Sequence, residues 1–237
     1  MFDFYQQSDA AYTMPPDASV WDGWCPELRL QNLDQRVKPR LIEALQAQGI
    51  CYGAPVFLRA MKEERVLELW LKAGAKWQIW RSYAIVAASG ELGPKLREGD
   101  GQVPEGFYRV GAGQLNPASR YHLAMNMGYP NEYDRQNQRT GSYIMIHGRA
   151  VSVGCLAMTD SWIEEIYLLV SEAIAQGQLE VPVQVFPFRM NEARLAQAKD
   201  HVWYEFWLAD LWPAWRSFEA YGEPAEVRAH EGRYVLR

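Results

Sequence analysis

From Pro55 onward the apolar residues of this chain alternate instead of recurring every three or four, and glycines and prolines cut the alternation into short runs. Such a pattern can only be satisfied by many short strands. Val56-Phe57-Leu58 and Val66-Leu67-Glu68-Leu69-Trp70-Leu71 flank the charged Lys62-Glu63-Glu64-Arg65, which reads as a β-hairpin. Trp77, Ile79, Tyr83, Ile85 and Val86 continue the sheet, and further strands are expected at 107–110, 121–125, 143–147 and 183–186. Between them, Gly90, Gly93, Pro94, Gly99, Gly101, Pro104 and Gly106 demand a loop with several unusual backbone angles.

Three stretches switch to the helical period. Val37, Leu41, Ile42 and Leu45 define one face of a short helix over 34–48, with Gly49 as its stop. Ser161 and Glu164 have capping-box spacing, Ile163, Ile166, Tyr167, Val170 and Ile174 follow at helical intervals, and Gly177 closes the run. Asn191 can cap a last helical stretch carrying Trp203, Phe206, Trp207, Trp212 and Trp215, which Pro213 should kink or divide. The tryptophan spacing is close to one helical face, so core packing is the first expectation for it and sugar stacking or a partner surface the second. The polar first twenty residues, with Met14-Pro15-Pro16, are expected to lie loosely on the surface. The fold class is therefore α+β with a β-rich core.

Composition excludes several functions. At 237 residues and 49% apolar content the chain can bury a full core and is not disordered. Its 24 basic and 29 acidic residues leave a net charge of −5, which argues against nucleic acid as a partner. No run approaches the ~20 apolar residues of a membrane span, and residues 1–24 lack the basic and apolar regions of a secretory signal. The three cysteines, Cys25, Cys51 and Cys155, form no CxxC pair, and His122, His201 and His230 have no ligand spacing, so no metal is expected. Cys25 and Cys51 could pair in an oxidising compartment. Gly111-Ala112-Gly113 lacks the context of a dinucleotide site, and no cofactor is implied.

The chemistry concentrates in 142–160. Tyr143, Met145 and His147 alternate with Ile144 and Ile146, so an apolar strand delivers His147 to its end, where Gly148 breaks the pattern. Val151-Ser152-Val153 reads as a second extended piece, and Gly154-Cys155 turns out of it toward the helix near Ser161. A cysteine at a strand-to-helix turn faces backbone N–H groups that can lower its pKa and hold an oxyanion. Gly154 lets a substrate carbonyl come close. A histidine eight residues earlier can activate the thiol; a buried cysteine acting only as a small hydrophobe is the competing reading.

These residues carry a resemblance. His147-Gly148, then Ser152-Val153-Gly154-Cys155 and Met158, resembles the signature of the YkuD family of L,D-transpeptidase catalytic domains. Gly93-Pro94-Lys95, Glu98-Gly99-Asp100 and Pro104-Glu105-Gly106-Phe107-Tyr108 resemble the loop before that family's catalytic half. Tyr129-Pro130-Asn131-Glu132-Tyr133-Asp134, Arg139-Thr140-Gly141-Ser142 and Glu164-Glu165-Ile166-Tyr167 resemble its YafK-like branch. Two positions depart from the family. Val153 stands where it has a second histidine, and Ala157 where it has an arginine expected to help hold a substrate carboxylate.

The resemblance implies a YkuD-like catalytic domain with mixed sheets forming a β-sandwich over 51–190. An N-terminal extension with a short helix (1–50) would precede it, and a tryptophan-rich helical extension packed on the catalytic domain (191–237) would follow. It implies that Cys155 attacks a diaminopimelate carbonyl in a peptidoglycan stem peptide, with His147 as proton acceptor oriented by the carbonyl of Gly148. The N–H groups of Gly154 and Cys155, with Val153 as a further donor, would hold the oxyanion. Tyr133, Arg139, Ser152 and Arg149 are the candidate substrate contacts, in part because 129–139 could form a lid. The missing arginine tilts the expectation toward hydrolysis, which the branch associates with release of a lipoprotein from peptidoglycan. Transfer to an amine, in a housekeeping enzyme or an exported antibacterial effector, is the alternative, and an inactive cell-wall binding module a third. A periplasmic or cell-envelope site of action follows, with the signal removed or delivery by another route. No oligomeric state is implied.

Overall fold

The computed structural model describes residues 25–237. The expectation of a loose N-terminus, including Met14, Pro15 and Pro16, lies outside the described residues. Two helices come first, α1 (Pro26–Arg36) and α2 (Lys38–Ala47). The expected single helix over 34–48 is split at Val37, and Pro39 sits in the first turn of the second piece, where a missing N–H costs nothing. Leu33, Val37, Leu41 and Leu45 form the buried stripe of the pair.

The hairpin is β1 (Val56–Met61) and β2 (Val66–Ala73), joined by the charged turn, and β3 (Lys76–Ala84) follows. β4 (Gly106–Gly111) succeeds the glycine-rich loop. A second sheet is then assembled from β5 (Leu115–Asn116), β6 (Ala124–Asn126), β7 (Met145–His147) and β8 (Leu156–Ala157), with the short helix α3 (Glu132–Gln136) between β6 and β7. Helix α4 (Asp160–Ala175) and strand β9 (Glu180–Phe186) come next. The first sheet has the order β3-β2-β1-β9-β4, antiparallel except for β1 with β9. The second has the order β5-β6-β7-β8, with only β7 and β8 parallel.

Helix α4 lies against β1 and β9 of one sheet and β6 and β7 of the other. It is accordingly buried on more than one face, through Ile163, Ile166, Tyr167, Leu168, Leu169, Val170 and Ala173. Both sheets and α4 share one core with α1 and α2. The cap differs from expectation: Thr159, not Ser161, accepts the N–H of Trp162 at 3.3 Å. Glu164 cannot reach back as a capping-box partner, because it is buried and both its oxygens take the guanidinium of Arg36 at 2.7 Å while His122 Nε2 lies 2.9 Å away. Two expected strands are shorter than the alternation suggests. Tyr121 and His122 belong to a turn, with His122 at φ +67°, and Tyr143 leaves the β region at φ +54°.

The C-terminal stretch begins with α5 (Glu192–Gln197), capped by Asn191 as expected. It continues through α6 (Tyr204–Phe206), a π-helical turn over Trp207–Leu211, and α7 (Trp212–Tyr221), whose first turn contains Pro213. It then ends, unexpectedly for a helical extension, in a hairpin of β10 (Val227–His230) and β11 (Arg233–Leu236). The buried Arg59 of β1 fastens α7 to the sheet. Its guanidinium lies 4.1 Å from the ring centre of Trp215 and 4.8 Å from that of Phe218, and it donates to Glu68 and Glu219 at 3.0 Å. Trp207 and Trp215 are core residues, whereas Trp203 and Trp212 are half-buried.

Candidate active site

The parallel pairing of β7 with β8 builds the site. It sets His147 opposite Ala157, so a cysteine two residues before Ala157 lies beside the strand that ends in His147. The cysteine therefore enters a strand instead of leaving one for a helix. Residues 151–153 form no strand, and α4 begins five residues after Cys155. Gly154 makes the turn at φ +81°, a conformation that costs other residues about 1–2 kcal/mol.

His147 is buried and held in one tautomer. Its Nδ1 lies 2.6 Å from the Gly148 carbonyl, which only accepts, so Nδ1 carries the proton and Nε2 keeps its lone pair. The Tyr121 ring lies tilted at 36° against the imidazole, with ring centres 4.6 Å apart. Gly148 has to be glycine, because a Cβ there would meet the Tyr121 carbonyl at 2.8 Å and Asp160 Oδ1 at 2.7 Å. Burial pushes the imidazole pKa below its ordinary value, and the Gly148 hydrogen bond only partly offsets this.

The thiol is flanked by backbone. Met145 N–H donates to Sγ at 3.4 Å, and the thiol donates to the Tyr143 carbonyl at 3.6 Å. Burial pushes the Cys155 pKa up, against the Met145 N–H and the charge of Lys95, which pull it down. Lys95 is itself buried, 2.6 Å from Asp100. Burial thus favours the neutral form of both the thiol and the imidazole.

The expected oxyanion donors are already engaged. Gly154 N–H donates to Ser89 Oγ at 2.7 Å, and Cys155 N–H to Ser152 Oγ at 2.9 Å. Ser152 Oγ also donates to the Cys155 carbonyl at 2.7 Å, so Ser152 shapes the turn around Cys155. Ser89 in turn donates to the Gly101 carbonyl, which ties the glycine-rich loop to the turn at Gly154. Val153, 82% exposed, has a backbone N–H with no hydrogen bond among the described residues. Ala157 is fully buried, and its strand is bridged to Ala87.

Two candidate substrate contacts are corrected. Tyr133 is buried, stacked on Tyr234 with ring centres 4.0 Å apart, and Arg139 is buried in a 2.9 Å ion pair with Asp134. Both belong to a packed corner in which Asn131 caps α3 and Tyr108 donates to Asp134, so 129–139 is anchored and not a lid. Arg149, half-buried at φ +56°, is fixed through its backbone N–H on Asp160 Oδ1 at 2.7 Å. Sequence reasoning passed over Ser89, Lys95, Gln102 and Tyr121. Only Lys95 sits in a motif that singled it out; the other three are joined to the site by folding alone. All three cysteines are free thiols. Among the described residues no cluster of potential ligands could hold a metal, and no helix is long and apolar enough to cross a membrane. A cleft of about 490 Å³ between β4, α3 and the terminal hairpin is lined by neither His147 nor Cys155.

The chain is similar to known proteins. The sequence model of the YkuD family, described as the L,D-transpeptidase catalytic domain, matches residues 58–185, which include His147 and Cys155. The chain is 46% identical over 184 residues to the Escherichia coli K12 protein named "Putative L,D-transpeptidase YafK", across 78% of this chain and 74% of that one. The crystal structure of the helical cell shape determining protein Pgp2 from Campylobacter jejuni is similar over 81% of this chain and 80% of its own, with 18% identity and a TM-score of 0.46. Its K307A mutant is 25% identical over 56% of this chain and 47% of its own, with a TM-score of 0.45.

Proposed function

The chain belongs to the YkuD family of L,D-transpeptidase catalytic domains, and from that membership we propose a cysteine-nucleophile enzyme that cleaves bonds to diaminopimelate in peptidoglycan stem peptides. The family acts on peptidoglycan, so its work lies in the cell envelope. The observation that carries the proposal is the fixed tautomer of His147 at the end of the strand whose Met145 N–H holds the Cys155 thiol.

The chemistry follows from the resting state. With both groups neutral, the thiol proton passes to Nε2 of His147 as sulfur attacks the diaminopimelate carbonyl. The developing oxyanion is a stronger acceptor than a hydroxyl, so it can draw the Gly154 and Cys155 N–H groups from Ser89 and Ser152 and take the open Val153 N–H. Each such donor is worth about 2.7–4 kcal/mol of barrier. His147 then returns its proton to the leaving amine, and the acyl group stays on sulfur.

Water is the acceptor we favour, as the earlier departures imply. The family's arginine position is the buried Ala157, which offers no cation to a second stem peptide. The bond broken is then the one joining diaminopimelate to a lipoprotein, in the periplasm. Sacculi carrying linked lipoprotein, incubated with the protein and read by mass spectrometry, should lose the lipoprotein. The Cys155→Ala variant should leave it attached. New muropeptide dimers with lipoprotein still linked would replace hydrolysis by transfer.

A further inference from the structure

We propose that the groove beside the catalytic turn is a saccharide subsite, which holds an N-acetylated sugar of the glycan strand while the attached stem peptide reaches Cys155. This rests on the reading of the substrate as peptidoglycan. The groove encloses about 450 Å³ and is bounded by Pro94, Leu96, Arg97, Gln102 and Trp203. That volume is in the range of small-molecule clefts, about 300–1,000 Å³.

The groove is built from distant parts of the chain. Trp203, in the C-terminal stretch, lies so close over Gly93 that any Cβ there would collide with its indole. Gly93 N–H donates to the buried Glu105 at 2.7 Å, and Trp207 Nε1 donates to the other oxygen of Glu105 at 2.7 Å. Lys62 closes the set, 3.1 Å from Glu105 and donating to the carbonyls of Gly93 and Val103. One buried carboxylate therefore ties the loop at Gly93 to Trp207, four residues after the Trp203 that overhangs it.

The chemistry of the walls fits a sugar better than a peptide. A half-buried indole offers an apolar plane for the C–H face of a pyranose ring. The Nε1 edge of Trp203 is turned to Gly93, but among the described residues the Gln102 amide N–H₂ and the Arg97 guanidinium have no hydrogen-bond partner, and both residues line the groove. The one carboxylate, Asp100, is consumed by Lys95 and by the N–H groups of Leu96, Arg97 and Gln102. A zwitterionic stem peptide would find no free anion here, whereas hydroxyl and acetamido oxygens find donors.

Reach agrees. Gln102 belongs to the groove, and its carbonyl lies where a Cβ on Gly154 would touch it at 3.3 Å, so one residue separates groove from nucleophile turn. The three stem residues from muramyl lactate to diaminopimelate span at most about 11 Å. The sugar bearing the reacting peptide has to lie close to the thiol, and this groove does.

The test uses glycan strands freed of peptide by an amidase, titrated calorimetrically into the Cys155→Ala protein. The strands should bind, and both Trp203→Ala and the exposed Arg97→Ala should weaken binding, the former about tenfold. In the active protein, Trp203→Ala should lower the preference for a disaccharide-linked stem over the same glycan-free stem by a similar factor. Absence of glycan binding, or equal losses on both substrates, overturns the subsite. Peptide-free strands need no turnover, so glycan binding without activity on any stem would count against the proposed reaction and leave the subsite standing.

Discussion

In the proposed reaction His147 and Cys155 divide the work according to their surroundings. Burial lowers the imidazole pKa and raises that of the thiol, so neither ionises near neutrality. The sign of the pH dependence follows. Turnover requires neutral His147, so kcat/KM should rise with pH through a midpoint below the ordinary 6.5. Alkylation of Cys155 alone, mapped by mass spectrometry to separate it from the exposed Cys25 and Cys51, should have its midpoint above the ordinary 9.0. An alkylation midpoint several units lower would mean a preformed thiolate–imidazolium pair, and the neutral-dyad account would be wrong. These two residues and the Gly148 carbonyl were legible in the sequence because a motif keeps them adjacent. The hydroxyls that occupy the oxyanion donors were legible only in part: Ser152 stands in the motif, while Ser89 is 65 residues from the Gly154 N–H it accepts.

At the scale of elements, the alternation from Pro55 onward found the strands but not their ends. Tyr143 was expected in a strand, yet it stands 72% exposed at φ +54° with its carbonyl turned to the thiol. Alternation records which faces are apolar and not where a ladder stops, and here β7 stops where the chain bends to hold Cys155. The glycine-rich loop was recognised as a loop, and its order comes from charges that pattern does not reveal. Glu105 and Lys62 form a buried pair that also grips Gly93 and Trp207. Removing one partner of such a pair strands the other charge, so Glu105→Ala should cost about 3–5 kcal/mol in urea unfolding. Hydrogen exchange should show 90–106 opening first. A cost below 1 kcal/mol would mean that the loop is held by other contacts.

The whole molecule is two sheets about a central helix, with a C-terminal stretch wrapped against the first sheet. The wrapping is aromatic: Arg59 clasps Trp215 and Phe218, while Tyr234 of the final hairpin stacks on Tyr133. Tyr234 also accepts from Asn131 at 2.8 Å and from the Phe107 N–H at 3.4 Å. Asn131 keeps a second acceptor in the Phe107 carbonyl, so Tyr234→Phe should cost only about 1 kcal/mol. The loss should appear as a lower denaturation midpoint with unchanged m-value. A changed m-value would show that the hairpin unfolds separately from the rest.

The sequence by itself determined the β period, the helical faces and the family, and it singled out the His147 and Cys155 on which the proposed reaction rests. All of these depend on neighbours in the chain, and local spacing encodes them. Only the tertiary structure decided that Tyr133 and Arg139 are interior, that Ser89 and Gln102 border the catalytic turn, and that Trp203 overhangs Gly93. Those contacts join residues from several to more than a hundred positions apart. A polar or aromatic side chain has the same composition whether it faces a substrate or a buried partner, and only the packing of the sheets selects between them.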